Sequence, residues 1–391
     1  MSSNGKVKIS NAIKTLEIVP RLRFPAYFDA SGWQFEKLGD HLDYLQPTPY
    51  LVSATSYNNN YLVPVLTAGK TFVLGYTDEV DGVFDQNLPV IIFDDFTTSS
   101  KFVNFPFKVK SSAMKILLPR NNASIRFFYE LLQIISYEVG AHGRHWISIF
   151  ASMKVPVPCA AEQQKIADCL SSLDDCIGAE IRKLDALKTH KQGLMDQLFP
   201  AEGQRLPRLR FPGFNGGWQE SQLGSCIQTV APPEKLQTSE YMAQGRYPII
   251  DQSQEPIAGW TNDKDKLVEG PFPLIVFGDH TCKLKLATRL FAQGADGIKI
   301  FCAKKGISTG FLYQFLLARP LVMQEYRRHF SILKEKAVLF PVDPEEQRCI
   351  FNILSGLDEL IIAQSGKIIF LQQHKKGLMQ GLFPAMEAST P

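Results

Sequence analysis

A chain of 391 residues has room for two domains of ordinary size, each able to bury its own core. Its composition, 45% apolar and 21% charged, is that of a soluble globular protein, and no apolar run approaches the ~18 residues of a membrane span. Seven cysteines without a CxxC pair argue against a disulfide framework, and a formal charge of +3 neither demands nor excludes a nucleic-acid partner. The polar stretch from Met1 to Lys14 lacks the apolar run of a signal peptide, so a reducing, cytoplasmic location is expected.

In chain order, an N-terminal extension (1–19) leads into the head Pro20-Arg21-Leu22-Arg23-Phe24-Pro25, which is followed by Gly32-Trp33-Gln34. The stretch 20–158 reads as a mixed α/β lobe. It contains Gly75-Tyr76-Thr77, a short buried strand at Pro89–Phe93, the polar turn Asp94-Asp95-Phe96-Thr97 and a helical run at Phe127–Leu132. A long helix is predicted over 159–200. Its apolar positions are Ile166, Leu170, Leu173, Ile177, Leu184, Leu187, Leu194 and Leu198, a heptad seam interrupted by Glu180 and Lys191.

The pattern then repeats. A second head, Pro207-Arg208-Leu209-Arg210-Phe211-Pro212, precedes Gly217-Trp218-Gln219, and a second lobe is expected over 201–342. Almost everything between Pro64 and Phe199 returns 184 positions later, between Pro248 and Phe383. Gly259-Trp260-Thr261, the strand Pro273–Phe277, the turn Gly278-Asp279-His280-Thr281 and the helix Phe311–Leu316 are the counterparts of the first lobe's elements. The second long helix (343–384) carries the seam Ile350, Leu354, Leu357, Ile361, Ile368, Leu371, Leu378 and Leu382, interrupted by Gln364 and Lys375; a short tail (385–391) follows. Asp343 is placed to cap this helix, Pro344 suits its first turn, and Glu346 completes a capping box. Pro200 and Pro384 stop the two helices.

Sixteen seam residues must find a partner, each worth about 1.5–3 kcal/mol on burial. Helix one leaves lobe one and helix two starts where lobe two ends, so the second buries its seam by running back beside the first. The expected fold is α+β: two similar mixed α/β lobes separated by a long antiparallel two-helix coiled coil, with pseudo-two-fold symmetry. Helices of this length span roughly 55 Å at ~1.5 Å per residue. A target with two unlike half-sites suits such a molecule, and on DNA these would lie roughly 10–16 base pairs apart.

The Glu-Gln-x-x-Ile helix starts (Glu162 to Ile166, Glu346 to Ile350) and the Gly-Leu-Met-x-x-Leu-Phe-Pro ends (Gly193 to Pro200, Gly377 to Pro384) recur in the same order in both halves. Together with the two heads and the turns after the buried strands, they resemble the specificity subunit of type I restriction–modification enzymes over nearly the whole chain. The resemblance implies two target-recognition domains, each reading one half of a split, asymmetric DNA sequence. It implies that the long helices set the spacer and bind two methyltransferase subunits, which carry S-adenosylmethionine and methylate adenine. Motor–nuclease subunits that use ATP and Mg²⁺ join them to cut unmodified DNA. The specificity subunit would be non-catalytic and bind no cofactor itself. The rival from another class is a coiled-coil scaffold with two protein-binding lobes.

Base readout needs side chains that match base edges, chiefly Arg or Lys for guanine and Asn or Gln for adenine. Lobe one offers Asn58, Asn59, Asn60, Lys101, Arg144 and His145; lobe two offers Lys283, Lys285, Arg289, Arg327 and Arg328. Each also fits an ordinary solvated charge. Arg144-His145-Trp146 and Arg328-His329-Phe330 share a phase, which points to a common positioning role. In the turns, Asp95, Thr97, Asp279, His280 and Thr281 either fix local hydrogen bonds or position a DNA-facing loop. Arg21, Arg23, Arg208 and Arg210 either bind the base of the helical pair or meet DNA phosphate. Glu180, Lys191, Gln364 and Lys375 are register devices, partner contacts or solvated stems.

Enzyme readings fail on the residues. Ala68-Gly69-Lys70-Thr71 imitates the end of a P-loop, but Pro64 stands where the first glycine must be. No HxxxH pair suggests a metal site, and no segment resembles an adenine-clamping Asn-Pro-Pro-Tyr.

Overall fold

A computed structural model describes residues 18–54, 56–67, 71–137, 144–294, 296–321 and 329–385. The chain divides into two units. One holds the described residues up to 180 together with those from 367 onward, and the other holds 181–366. Each unit thus contains one lobe and pieces of both long helices.

In the first unit the elements are β1 (Gln34–Lys37), α1 (Leu38–His41), β2 (Leu42–Leu45), β3 (Val63–Leu66), β4 (Val73–Thr77), β5 (Val90–Asp94), β6 (Ser100–Val103), β7 (Lys108–Val109), β8 (Met114–Pro119), α2 (Ile125–Ile134), α3 (His145–Ser148) and β9 (Lys154–Val157). The main sheet has the order β2-β8-β5-β6, a second sheet the order β4-β3-β7, and β1 pairs with β9. Strand β5 is central and buried along its whole length, which is why its sequence is an unbroken apolar run rather than an alternating one. Helix α2 is capped by Ser124, whose side chain accepts from the Phe127 N–H. The long helix α4 spans Ala160–Leu198.

The second unit repeats the plan with β10 (Trp218–Gln222), α5 (Leu223–Cys226), β11 (Ile227–Val230), β12 (Tyr247–Ile250), β13 (Gly259–Thr261), β14 (Leu267–Val268), β15 (Leu274–Gly278), β16 (Leu284–Ala287), β17 (Phe291–Gln293), β18 (Ile298–Ala303), α6 (Thr309–Ala318), α7 (His329–Glu335), β19 (Ala337–Pro341) and α8 (Pro344–Leu382). Its sheets, β11-β18-β15-β16 and β13-β12-β17-β14, reproduce the first unit's orders, the second with one strand more, and β10 pairs with β19. The parallel β3–β7 pair has its counterpart in β12–β17.

Within each unit the two long helices run antiparallel. In the first, Ile166 and Leu170 from the start of α4 share a core with Leu382 and Phe383 from the end of α8. Further along, the Lys375 ammonium lies 2.8 Å from the Asp174 carboxylate, and Lys367 pairs with Glu180 at 2.5 Å. In the second unit Leu198 and Phe199 share a core with Ile350 and Leu354, and Lys191 pairs with Asp358 at 2.6 Å. All sixteen seam residues are buried or half-buried, as the heptads require. Lys191 and Lys375 therefore act in register: each meets the aspartate that follows a seam leucine on the other helix.

The recurring Glu-Gln and Leu-Phe-Pro sequences have a mechanical explanation. Glu162 is buried and receives a two-pronged bond from the Arg23 guanidinium at 2.8 and 2.7 Å; Arg210 grips Glu346 in the same way at the same distances. The next residue ties the long helix to its lobe, because Gln163 accepts from the Ser124 N–H and Gln347 from the Ser308 N–H, the caps of α2 and α6. Phe383 packs edge-on against Trp33, and Phe199 against Phe311 and Phe315. The expected capping box forms only in part. Asp343 does cap α8 by accepting from the Glu345 N–H at 2.8 Å, but Glu346 is committed to Arg210 instead of reaching back.

Candidate nucleic-acid interface

Two regions of each lobe gather the polar residues picked out from the sequence. The first is the turn after the central strand. In lobe one, Asp94 accepts from the Phe96 N–H and from the Thr97 hydroxyl, and Thr98 adopts a left-handed backbone with φ of 58°. In lobe two Gly278 replaces Asp94, Thr281 donates instead to the Gln252 carbonyl at 3.0 Å, and Cys282 repeats the left-handed geometry with φ of 53°. A non-glycine residue pays about 1–2 kcal/mol in that conformation, so the turn is held by its surroundings.

The holding device is the aspartate between. The Asp95 carboxylate accepts from the Trp146 N–H at 2.8 Å, and the Asp95 carbonyl accepts from His145 Nδ1 at 2.6 Å. Asp279 makes the same two bonds with Phe330 N–H and His329 Nδ1, both at 2.7 Å. Asp95, His145 and Asp279 are each less than a tenth exposed. They latch the turn to the helix some fifty residues later and are themselves largely buried. Phe96, Thr97, Arg144, His280 and Lys283 stand around the latch, all open to solvent. Lys101 is exposed on edge strand β6, whereas its counterpart Lys285 is engaged by Asp251 at 3.4 Å and by the Glu255 carbonyl. Burial pushes the Lys285 ammonium below its ordinary value. Arg327 and Arg328 lie outside the described residues.

The second region lies at the opposite end of the strands. Asn58, Asn59 and Asn60 form an exposed turn in which Asn58 accepts from the Asn60 N–H and its own N–H donates to the Tyr76 carbonyl. Beside them opens a cleft whose lining includes Leu62, Val63, Tyr76 and Phe105. Lobe two has a cleft of Arg246, Tyr247, Phe272, Arg289 and Leu290. Strand β12 runs from Tyr247 at this cleft to Ile250, two residues short of Gln252, whose carbonyl meets Thr281 of the His280 turn, so five residues at ~3.3 Å each put the two regions about 16 Å apart. Asn58–Asn60 and Arg289 therefore belong to one end, and Lys101, Arg144, His280 and Lys283 to the other. Two residues escaped the sequence reading. Arg246 stands where lobe one has Leu62, and that difference against a repeated scaffold was the available signal. Gln252 has its side-chain oxygen buried without a hydrogen-bond partner among the described residues, and no local pattern announces it. Among the described residues no cluster of His, Cys, Asp and Glu could hold a metal ion, and no helix is long and apolar enough to cross a membrane.

Residues 30–189 match the family model of the type I restriction modification DNA specificity domain. The specificity subunit of the type I restriction enzyme EcoR124I/EcoR124II from Escherichia coli is 47% identical over 133 residues, a third of each chain. A putative type I restriction enzyme specificity subunit, MjaX, from Methanocaldococcus jannaschii is 24% identical over 249 residues, 58% of this chain and 57% of that one. The crystal structure of the type I restriction-modification system S subunit from M. genitalium covers 95% of this chain and 100% of its own, with a TM-score of 0.66 at 15% identity, a likeness of fold. Residues 30–189 thus carry a type I restriction modification DNA specificity domain. The chain's matched stretches span a third and somewhat over half of the length of the two sequence relatives. In this chain the turn latch and the gripped helix starts occur in both lobes, while the exposed residues around them differ.

Proposed function

We propose that this chain is a specificity subunit that reads a bipartite, asymmetric DNA sequence, one half-site per lobe, and directs adenine methylation or cleavage carried out by other subunits. The observation that carries this reading is a repeated scaffold with divergent exposed positions: Phe96 against His280, and Leu62 against Arg246, on lobes whose latches and strand orders match. Two identical reading heads would suit a symmetric site; these suit two different half-sites. The domains proposed are recognition lobes at 20–158 and 201–342 and spacer helices at 159–200 and 343–384. Of the sequence candidates, Asn58, Asn59, Asn60, Thr97, Lys101, Arg144, His280, Lys283 and Arg289 are exposed enough to meet DNA. The partners are two methyltransferase subunits carrying S-adenosylmethionine and motor–nuclease subunits using ATP and Mg²⁺, in the cytoplasm. Exposed apolar side chains on α8, Leu360 and Ile362, are available for the methyltransferases.

Footprinting of the full chain, co-purified with the methyltransferase subunits, tests this. Two protected patches separated by roughly one to one and a half helical turns are expected, weakening as salt rises. One continuous patch, or none, would contradict a two-headed reader and favour a protein scaffold.

A further inference from the structure

The clefts at the far ends of the two lobes are the same place in the repeat. Leu62, Val63, Phe105 and Pro106 in lobe one stand 184 positions before Arg246, Tyr247, Arg289 and Leu290 in lobe two. The cleft is kept and its chemistry is changed. In lobe two the Arg246 guanidinium lies over the Tyr247 ring, 5.5 Å from its centroid, and the Arg246 N–H is anchored to the Asn262 side chain at 2.9 Å. Neither Arg246 nor Arg289 pairs with a carboxylate among the described residues. An arginine stacked on a ring uses its face and leaves its N–H edge free for a planar acceptor. The cleft floor of Tyr247, Phe272 and Leu290 offers little that could read a base edge, and it thins the water around the two charges.

We infer that this cleft faces the DNA backbone in both lobes, and that lobe two grips phosphate there through Arg246 and Arg289. Lobe one, with Leu62 and Phe105 in their places, makes no such grip, so the phosphate hold is unequal between the half-sites. The inference rests on the DNA-reading function proposed above. It adds a contact that positions the protein without specifying sequence.

The test uses the full chain assembled with its methyltransferase subunits and two duplexes, one carrying the methylated site and one scrambled, between 50 and 200 mM salt. For Arg246→Ala with Arg289→Ala, affinity should fall by roughly tenfold on both duplexes alike. The slope of log affinity against log salt should become shallower by about 1.8, some 0.9 for each phosphate. Arg246→Lys with Arg289→Lys should keep the slope. Leu62→Arg in lobe one, at a position 91% exposed, should steepen it by about 0.9. An unchanged slope in either the alanine pair or Leu62→Arg overturns the inference, as does a loss confined to the methylated site. Normal DNA binding with loss of methyltransferase co-purification would assign the cleft to a protein instead. If the unaltered complex binds neither duplex, the DNA-reading function itself falls.

Discussion

Glu162 and Glu346 are buried carboxylates at the starts of helices, and each is neutralised by an arginine that arrives from a preceding head segment. The hydrogen bonds it donates to Glu162 hold the Arg23 guanidinium above its already high ordinary value, so it stays charged at any physiological pH. A pair this buried stabilises little compared with an apolar substitute, but breaking it strands a charge. Glu162→Ala should therefore cost about 3–5 kcal/mol in denaturant unfolding, while replacing Arg23 and Glu162 together by Met should cost much less. Glu79 makes a different case. The Ala54 N–H, the Lys108 ammonium and the Ser53 N–H bind its carboxylate and hold it below the ordinary range. A depressed folded value means its contribution is present above the unfolded value near 4.3 and is lost as pH falls through the folded one. Thermal melts from pH 6 to pH 3 should show a smaller acid loss for Glu79→Gln than for the unaltered chain; equal losses would refute this assignment. At this scale the sequence was only partly legible. Asp95 and His145 look like exposed polar residues, and it takes a contact across fifty positions to show them as a latch. Arg23 and Glu162 are farther apart still, so their pairing was one of two open readings until the fold closed the distance.

At the scale of elements the heptads were plainly readable, because seven-residue spacing directly sets which faces touch. All of the seam positions fall at the covered face of α4 or α8, and the lysines that interrupt them meet aspartates of the opposite helix. Central strands were readable for a related reason: a run such as Val90–Phe93 is apolar at every position because both of its faces are covered. The second sheet of each lobe was not, since β3, β7, β12 and β14 are two to four residues long and carry no period. The seam makes a sharp prediction. Leu354 is fully buried and Ile362 is 71% exposed on the same helix. Leu354→Ala should destabilise the chain by about 2–5 kcal/mol and Ile362→Ala by no more than about 0.5 kcal/mol, as read by urea midpoints. Comparable losses at both positions would mean that the heptad seam does not organise the helices.

For the molecule as a whole, duplication is the organising fact. One plan, a lobe followed by a long helix, is used twice, and each helix contributes residues to both units of the chain. Core positions kept the plan, while the exposed turns and clefts diverged, as expected of heads that read different half-sites. That same division explains why fold was legible from sequence and bases were not: packing follows local period, whereas readout depends on which few exposed side chains converge. The central claim is that two unlike heads read DNA across a gap set by the long helices. Sequencing the adenine methylation of cells that carry the chain, lack it, or carry a form shortened by seven residues in the middle of each long helix tests it most directly. One bipartite motif should vanish without the chain and return with the shortened form, its two halves intact and its gap reduced by about three base pairs, since seven helical residues span ~10 Å. A methylated motif that persists without the chain, or that keeps its gap in the shortened form, would mean that the long helices do not set the distance between two reading heads.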